Sequence, residues 1–139
     1  KNSRIQLSKL LKAYRSNNSY TDYNTPLYWT DYGNAQKTGQ VIVGTIRKNI
    51  KQPESKKFET VQRLPFVTEY VKGYTRYKEE ESGPSCSLAE ALGKQDLFVN
   101  SSLAHLGCSL LWKMFREGVI FFHGFYMNLD TMHVNPITL

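Results

Sequence analysis

An α/β fold is what this sequence predicts: a mixed sheet with helices and a terminal β-hairpin. Three observations carry it. Leu7, Leu10, Leu11 and Tyr14 recur at i, i+3, i+4 and i+7, the spacing of one helix face. Leu27-Tyr28-Trp29-Thr30 and Gln40-Val41-Ile42-Val43-Gly44-Thr45-Ile46 have the apolar, β-branched and aromatic content of strands. A long helical pattern from about Asp96 to Glu117 then leads into a second pair of strand-like segments.

Taken in order, Asn2-Ser3-Arg4 opens the first helix, whose stripe ends near Ser16. Asn17 to Asp22 reads as a loop, and Pro26 restarts the chain before the first strand. Asp31-Tyr32-Gly33-Asn34-Ala35 and Lys37-Thr38-Gly39 form a glycine-punctuated turn into the second strand. Residues 1–46 are thus a helix followed by strand, turn and strand.

Residues 47–85 are polar and read as a crossover loop, broken at Leu64-Pro65, with a short helix over Phe66–Val71 before Gly73. The loop delivers Cys86 to the start of another helix. Gly83-Pro84 stops what precedes, and Ser87 and Glu90 have the S-x-x-E spacing of a capping box. Leu88, Ala91 and Leu92 pack one side of this short helix, which ends at Gly93.

In the long helix, Val99, Leu103, Leu106, Leu110 and Met114 line one face. Ser101, Ser102, Gly107 and Ser109 are small enough to admit a neighbouring element closely, and Cys108 is expected to be an inert core thiol. Gly118 closes the helix. Val119 to Met127 forms a strand, Asn128 to Thr131 its turn, and His133 to Leu139 the returning strand. All 139 residues make one domain, with 40% hydrophobic and 13% aromatic content for its core.

The chemistry on offer is narrow. The two glycines at Gly33 and Gly39 do not make a phosphate loop, because their spacing is one residue too long and Gln40 stands where a lysine is needed. No G-x-G-x-x-G run exists either. The net charge of +6 gathers in part at Arg47, Lys48, Lys51, Lys56 and Lys57, but no aromatic platform interleaves with them, so a solvated loop is favoured over a nucleic-acid face. Two cysteines form no metal framework, and His105 with Cys108 supplies only half of a site, so no metal is expected. His123 and His133 read as structural or exposed. The apolar runs are too short to span a membrane, and reduced thiols point to a cytoplasmic protein.

Cys86 remains the one candidate catalytic residue. One residue before a helix start, it lies where unpaired N–H groups and the positive end of the dipole favour a thiolate. The competing reading is a cysteine that merely precedes a serine-rich helix start.

Tyr28-Trp29-Thr30-Asp31-Tyr32-Gly33-Asn34 with Gly39-Gln40-Val41, and Pro84-Ser85-Cys86-Ser87-Leu88-Ala89-Glu90-Ala91-Leu92 with Phe98-Val99-Asn100, carry a family likeness. The chain resembles the C-terminal half of the ThiF/MoeB/HesA superfamily of adenylating enzymes, which includes the ubiquitin-activating enzymes. The nearest likeness is to the ThiF-type family of the bacterial PRTRC cassette. The resemblance implies the second half of a Rossmann-like adenylation domain. Its partner would be a ubiquitin-like or sulfur-carrier protein, whose C-terminal carboxylate is activated as an adenylate. A homodimer is also compatible with it. By the same resemblance Cys86 matches the acyl-accepting cysteine, which would capture the activated carrier as a thioester. ATP and magnesium are implied for the complete enzyme, at a site upstream of Lys1 and not on these residues. The alternative within the same fold is a non-catalytic module for carrier binding or dimerisation.

Overall fold

A computed structural model describes residues 2–17, 26–47, 52–74 and 96–138. Their order is α1 (Asn2–Asn17), β1 (Tyr28–Asn34), β2 (Thr38–Thr45), α2 (Val67–Tyr70), α3 (Val99–Glu117), β3 (Gly124–Asn128) and β4 (His133–Ile137). The α/β class holds, with helices beside a four-stranded sheet in the order β1-β2-β3-β4. β2 pairs antiparallel with β3, and β3 with β4. The expected mixed sheet is therefore an antiparallel one among the described residues. The chain resolves into two compact units, residues 1–30 with 43–77 and residues 31–42 with 78–139.

In the first unit, α1 forms where its periodicity predicts but buries a neighbouring face. Ser8 is buried and Leu11 and Arg15 are half-buried, whereas Leu7 and Leu10 are exposed. The reason is the polar character of what α1 meets. Arg15 donates to the carbonyls of Thr45 (2.7 Å) and Ile46 (3.1 Å) and stacks its guanidinium 4.5 Å from the centre of the Phe66 ring. Ser8 accepts a hydrogen bond from the Thr68 hydroxyl at 2.7 Å. An apolar stripe on α1 would have left these carbonyls without donors, at a cost of about 1–3 kcal/mol each.

Phe66, Val43, Val67 and Ile46 make the interior of this unit. The 66–69 turn is closed reciprocally: the Phe66 N–H donates to the Glu69 carboxylate and the Glu69 N–H to the Phe66 carbonyl. That short helix falls where the sequence places it. Thr45 and Leu64 also exchange bonds, the Thr45 N–H donating to the Leu64 carbonyl and the Leu64 N–H to the Thr45 hydroxyl, each at 3.0 Å.

In the second unit, Val41, Val99, Leu103, Phe125 and Met127 form one core cluster, with Leu129 against it. Phe125 and Met127 are two apart in β3, so the pleat aims both at α3 while Tyr126 faces away and is exposed. The segment Asp31–Asn34, expected as turn, is strand. Only residues 35–37 turn, closed by the Ala35 N–H on the Thr38 carbonyl at 2.8 Å. Gly33 and Gly39 consequently sit inside strands. At Gly39 the absent Cβ makes room for the Leu103 side chain.

The long helix starts at Val99, just after Asp96, whose carboxylate accepts the Phe98 N–H at 2.9 Å. It ends as expected at Gly118, a left-handed residue with φ of 67° whose N–H reaches the Met114 carbonyl. Gly107 is where a neighbour approaches most closely: an added Cβ would lie 2.5 Å from the Tyr32 ring. Cys108 corrects the expectation of a core thiol. It is exposed, because Val99, Leu103, Gly107 and Leu110 take the buried face and Cys108 turns away from them. The terminal hairpin is present, though β3 begins at Gly124 rather than Val119.

Candidate functional site

Cys86, its capping box and the short helix to Gly93 lie outside the described residues, as do Lys48 and Lys51. Of the lysine cluster, Lys56 and Lys57 are exposed, and Lys57 places its ammonium 5.4 Å from the Phe58 ring centre. His123 is fully buried and His133 exposed. Among the described residues no three His, Cys, Asp or Glu side chains come together as a metal ion would require. No described helix is long and apolar enough to cross a membrane.

What the second unit does present is an open cleft of about 360 Å³ between the first half of α3 and the terminal hairpin. Met127, Leu129, Met132, Val134 and Leu106 give it an apolar lining. Ser101, Ser102, His105, Asn128 and His133 supply polar groups around them. The apolar part has a local cause. Met127 is a core residue of β3, and the hairpin turn that follows spends Leu129 and Met132 where polar residues are usual.

The polar groups are set by backbone contacts. His105 Nδ1 lies 2.7 Å from the Ser101 carbonyl, which only accepts, so Nδ1 carries the proton and Nε2 is left as an acceptor in the neutral ring. Ser101 donates to the Phe98 carbonyl at 3.1 Å. Asn128 holds the hairpin turn by accepting the N–H groups of Asp130 and Thr131. The Leu129 N–H donates to the Lys37 carbonyl, and Lys37 pairs with Asp130 at 2.7 Å, which raises the lysine pKa chiefly through that hydrogen bond. The wall that carries Leu129 is thereby tied to the β1–β2 turn.

β4 is the last strand in the sheet, and His133 to Pro136 are exposed along it. Pro136 has no N–H to offer a further strand, so the edge is blunted beyond Asn135. The cleft thus runs beside a short stretch of accessible strand edge. In chemical terms the cleft can bind an extended apolar segment and hydrogen-bond its polar end.

The cleft was missed at the sequence level. Its signal was the excess of apolar residues in the hairpin turn together with His105-Leu106 one turn beyond Ser101-Ser102, and no periodicity links the two segments.

In the first unit the half-buried Glu69 gathers cations. Arg63 lies 2.9 Å from one carboxylate oxygen, and Lys12 (3.3 Å) and Arg15 (3.8 Å) from the other. Burial opposes its charge, but the Phe66 N–H, Arg63 and Lys12 outweigh burial and hold the Glu69 carboxyl below the usual range. Burial, then the like charge of Arg63, draws Arg15 below its ordinary value against the pull of Glu69. Each of these groups answers another, which marks a structural clasp rather than a reactive site.

Compared with models of known protein families, with curated proteins and with solved structures, the chain matches none.

Proposed function

We propose that this chain is the carrier-binding half of a ThiF-type activating enzyme, with the cleft between α3 and the terminal hairpin receiving the extended C-terminal tail of a ubiquitin-like or sulfur-carrier protein. The cleft is the observation that carries this reading. Its apolar lining suits the side chains of an extended segment, the Asn128 amide N–H groups and the His133 ring N–H suit a terminal carboxylate, and the neighbouring strand edge suits a backbone. The sequence likeness around Asp31–Asn34 and Cys86 supplies the class of partner.

In this reading the fold is the second half of a Rossmann-like adenylation domain. Cys86 is its acyl acceptor: the thiolate attacks the activated carboxyl carbon, a C–S bond forms, and the activating group leaves with the electron pair of the bond it breaks. A cytoplasmic setting goes with that role, since the thiol must stay reduced. ATP and magnesium belong, in this reading, to a site outside these residues. Gly33 and Gly39 lie within strands, and no adenylation step is assigned to them.

The second reading is a non-catalytic module that binds the carrier or dimerises. It rests on the same apolar cleft, which offers a binding surface whether or not Cys86 reacts.

The test is a titration of the isotopically labelled chain with a ten-residue peptide of extended, apolar sequence and a free C-terminal carboxylate. Shifts gathered at 101–106 and 127–135, weakened by Val134→Glu, are expected. Absence of shifts there refutes the tail site. Transfer of a preformed carrier acyl-adenylate to the chain, lost in Cys86→Ser but kept in Cys108→Ser, separates the catalytic reading from the binding one.

A further inference from the structure

A side chain fits left-handed backbone poorly, because its Cβ crowds the neighbouring carbonyl. Among the described residues, positive φ occurs at Gly73, Gly118 and Met132. The two glycines have open space where a Cβ would stand, so conformation and not crowding favours glycine there. Met132, at φ 53°, has no such excuse. The hairpin imposes that conformation. Asn128 pairs with His133, so Leu129 to Met132 form the loop, and its last residue must bring the chain back into register. The loop is held from several sides. Asn128 accepts the N–H groups of Asp130 and Thr131, the Leu129 N–H reaches the Lys37 carbonyl, and Asp130 pairs with Lys37. Glycine or asparagine is the ordinary residue for such a position.

Methionine adds little to the fold in return. It is 80% exposed, more than any other large apolar side chain among the described residues. Its side chain lines the cleft beside the terminal hairpin, together with Met127, Leu129 and Val134. A residue that strains the backbone without filling the interior points to a role in binding.

We propose that Met132 is a specificity-determining residue of the cleft, an unbranched thioether arm that covers an apolar side chain of the bound tail. The proposal rests on the reading of the cleft as a tail site and deepens it. Methionine suits the task because its rotatable bonds and polarizable sulfur follow aliphatic and aromatic shapes alike. Its place also says which part of the tail it reads. Met132 precedes His133, whose ring N–H suits the terminal carboxylate, and both line the cleft. The apolar side chain it covers therefore belongs to the last few residues of the tail. The ligand class is a free C-terminus that carries large apolar residues, as distinct from one that ends in small polar residues.

The probes are two ten-residue peptides with free carboxylates, identical except that the last three residues are leucine in one and serine in the other. Binding is read from amide shifts of the labelled chain at 127–135, and stability from thermal unfolding. Met132→Gly and Met132→Asn relieve the backbone and should raise Tm by about 2–4 °C. Both should weaken the leucine peptide about tenfold and the serine peptide less than about twofold. Met132→Leu restores an apolar arm and should recover most of the lost affinity. Stability and affinity thus move in opposite directions, whereas a merely structural residue would lose both. A fall in Tm with Met132→Gly overturns the proposal, since Met132 would then serve the fold. An equal loss for the two peptides overturns it as well, placing the effect in the turn and not in an apolar contact. If the parent and Met132→Gly chains bind the leucine peptide equally, the proposal fails while the tail cleft stands. If the parent chain binds neither peptide, the tail cleft fails and the proposal with it.

Discussion

Replacing Gly107 by alanine sets two effects of opposite sign against each other in the middle of α3. In an unobstructed helix the change would stabilise by about 0.5–1 kcal/mol, because glycine loses more backbone freedom on folding. Here the new methyl would sit 2.5 Å from both Cε1 and the hydroxyl oxygen of Tyr32 and 2.8 Å from Cζ. Ordinary carbon contacts lie near 3.5–4.0 Å, so the ring must retreat by about 1 Å. Tyr32 is in the middle of β1, whose pairing fixes its backbone, and only rotation of the side chain can yield. Overpacking of this kind costs about 1–3 kcal/mol. The clash therefore wins, and Gly107→Ala should destabilise by about 0.5–2 kcal/mol, a fall of a few degrees in Tm. In a Tyr32→Ala background the obstruction is gone, and the same substitution should stabilise by about 0.5–1 kcal/mol. Urea unfolding of the four chains of this cycle gives the coupling directly, expected at about 1–3 kcal/mol with m-values unchanged. If the two substitutions are additive within about 0.5 kcal/mol, or if Gly107→Ala stabilises the parent chain, α3 does not pack on Tyr32 through Gly107.

Three further outcomes are expected. Glu69→Gln should cost about 1–2 kcal/mol at pH 7, the lower part of the range for charged hydrogen bonds because the group is partly screened by solvent. Since the folded carboxyl titrates below its ordinary value of 4.5, this contribution is present above that pH and lost as pH falls through the folded value; denaturation of the two chains should therefore converge in acid, and a constant gap would refute the clasp. Thr45→Val strips the acceptor from the buried Leu64 N–H and should destabilise by about 1–3 kcal/mol, read by thermal unfolding, with a neutral result telling against that bond. Cys108 should react with a maleimide in the folded chain at a rate close to that in urea, and hundredfold protection would return it to the core.

The sequence by itself determined the elements whose cause is local. Periodicity located α1 and α3, β-branched runs located β2, and Gly118 stopped α3 because a left-handed residue there favours glycine. Pro65-Phe66 and Glu69 fixed the short helix through a bond spanning only three residues. Which face each helix buries was decided by tertiary structure. Leu7 and Leu10 looked like a core stripe, yet α1 turned Ser8 and Arg15 inward because unpaired carbonyls at the end of β2 and the Phe66 ring needed a donor and a cation. Cys108 looked internal because its neighbours are apolar, but α3 has apolar residues on two faces, and the packing of Val99 and Leu103 on Val41, Phe125 and Met127, with Gly107 against Tyr32, chose between them. Asp31–Asn34 looked like a turn from its composition, and pairing in the sheet made it strand. The cleft brings Ser101–Leu106 and Met127–Val134 together across a sequence gap that no local pattern bridges. Short-range hydrogen bonding and backbone preference are written residue by residue, whereas the choice of buried face is a competition between surfaces that exists only once the chain has folded.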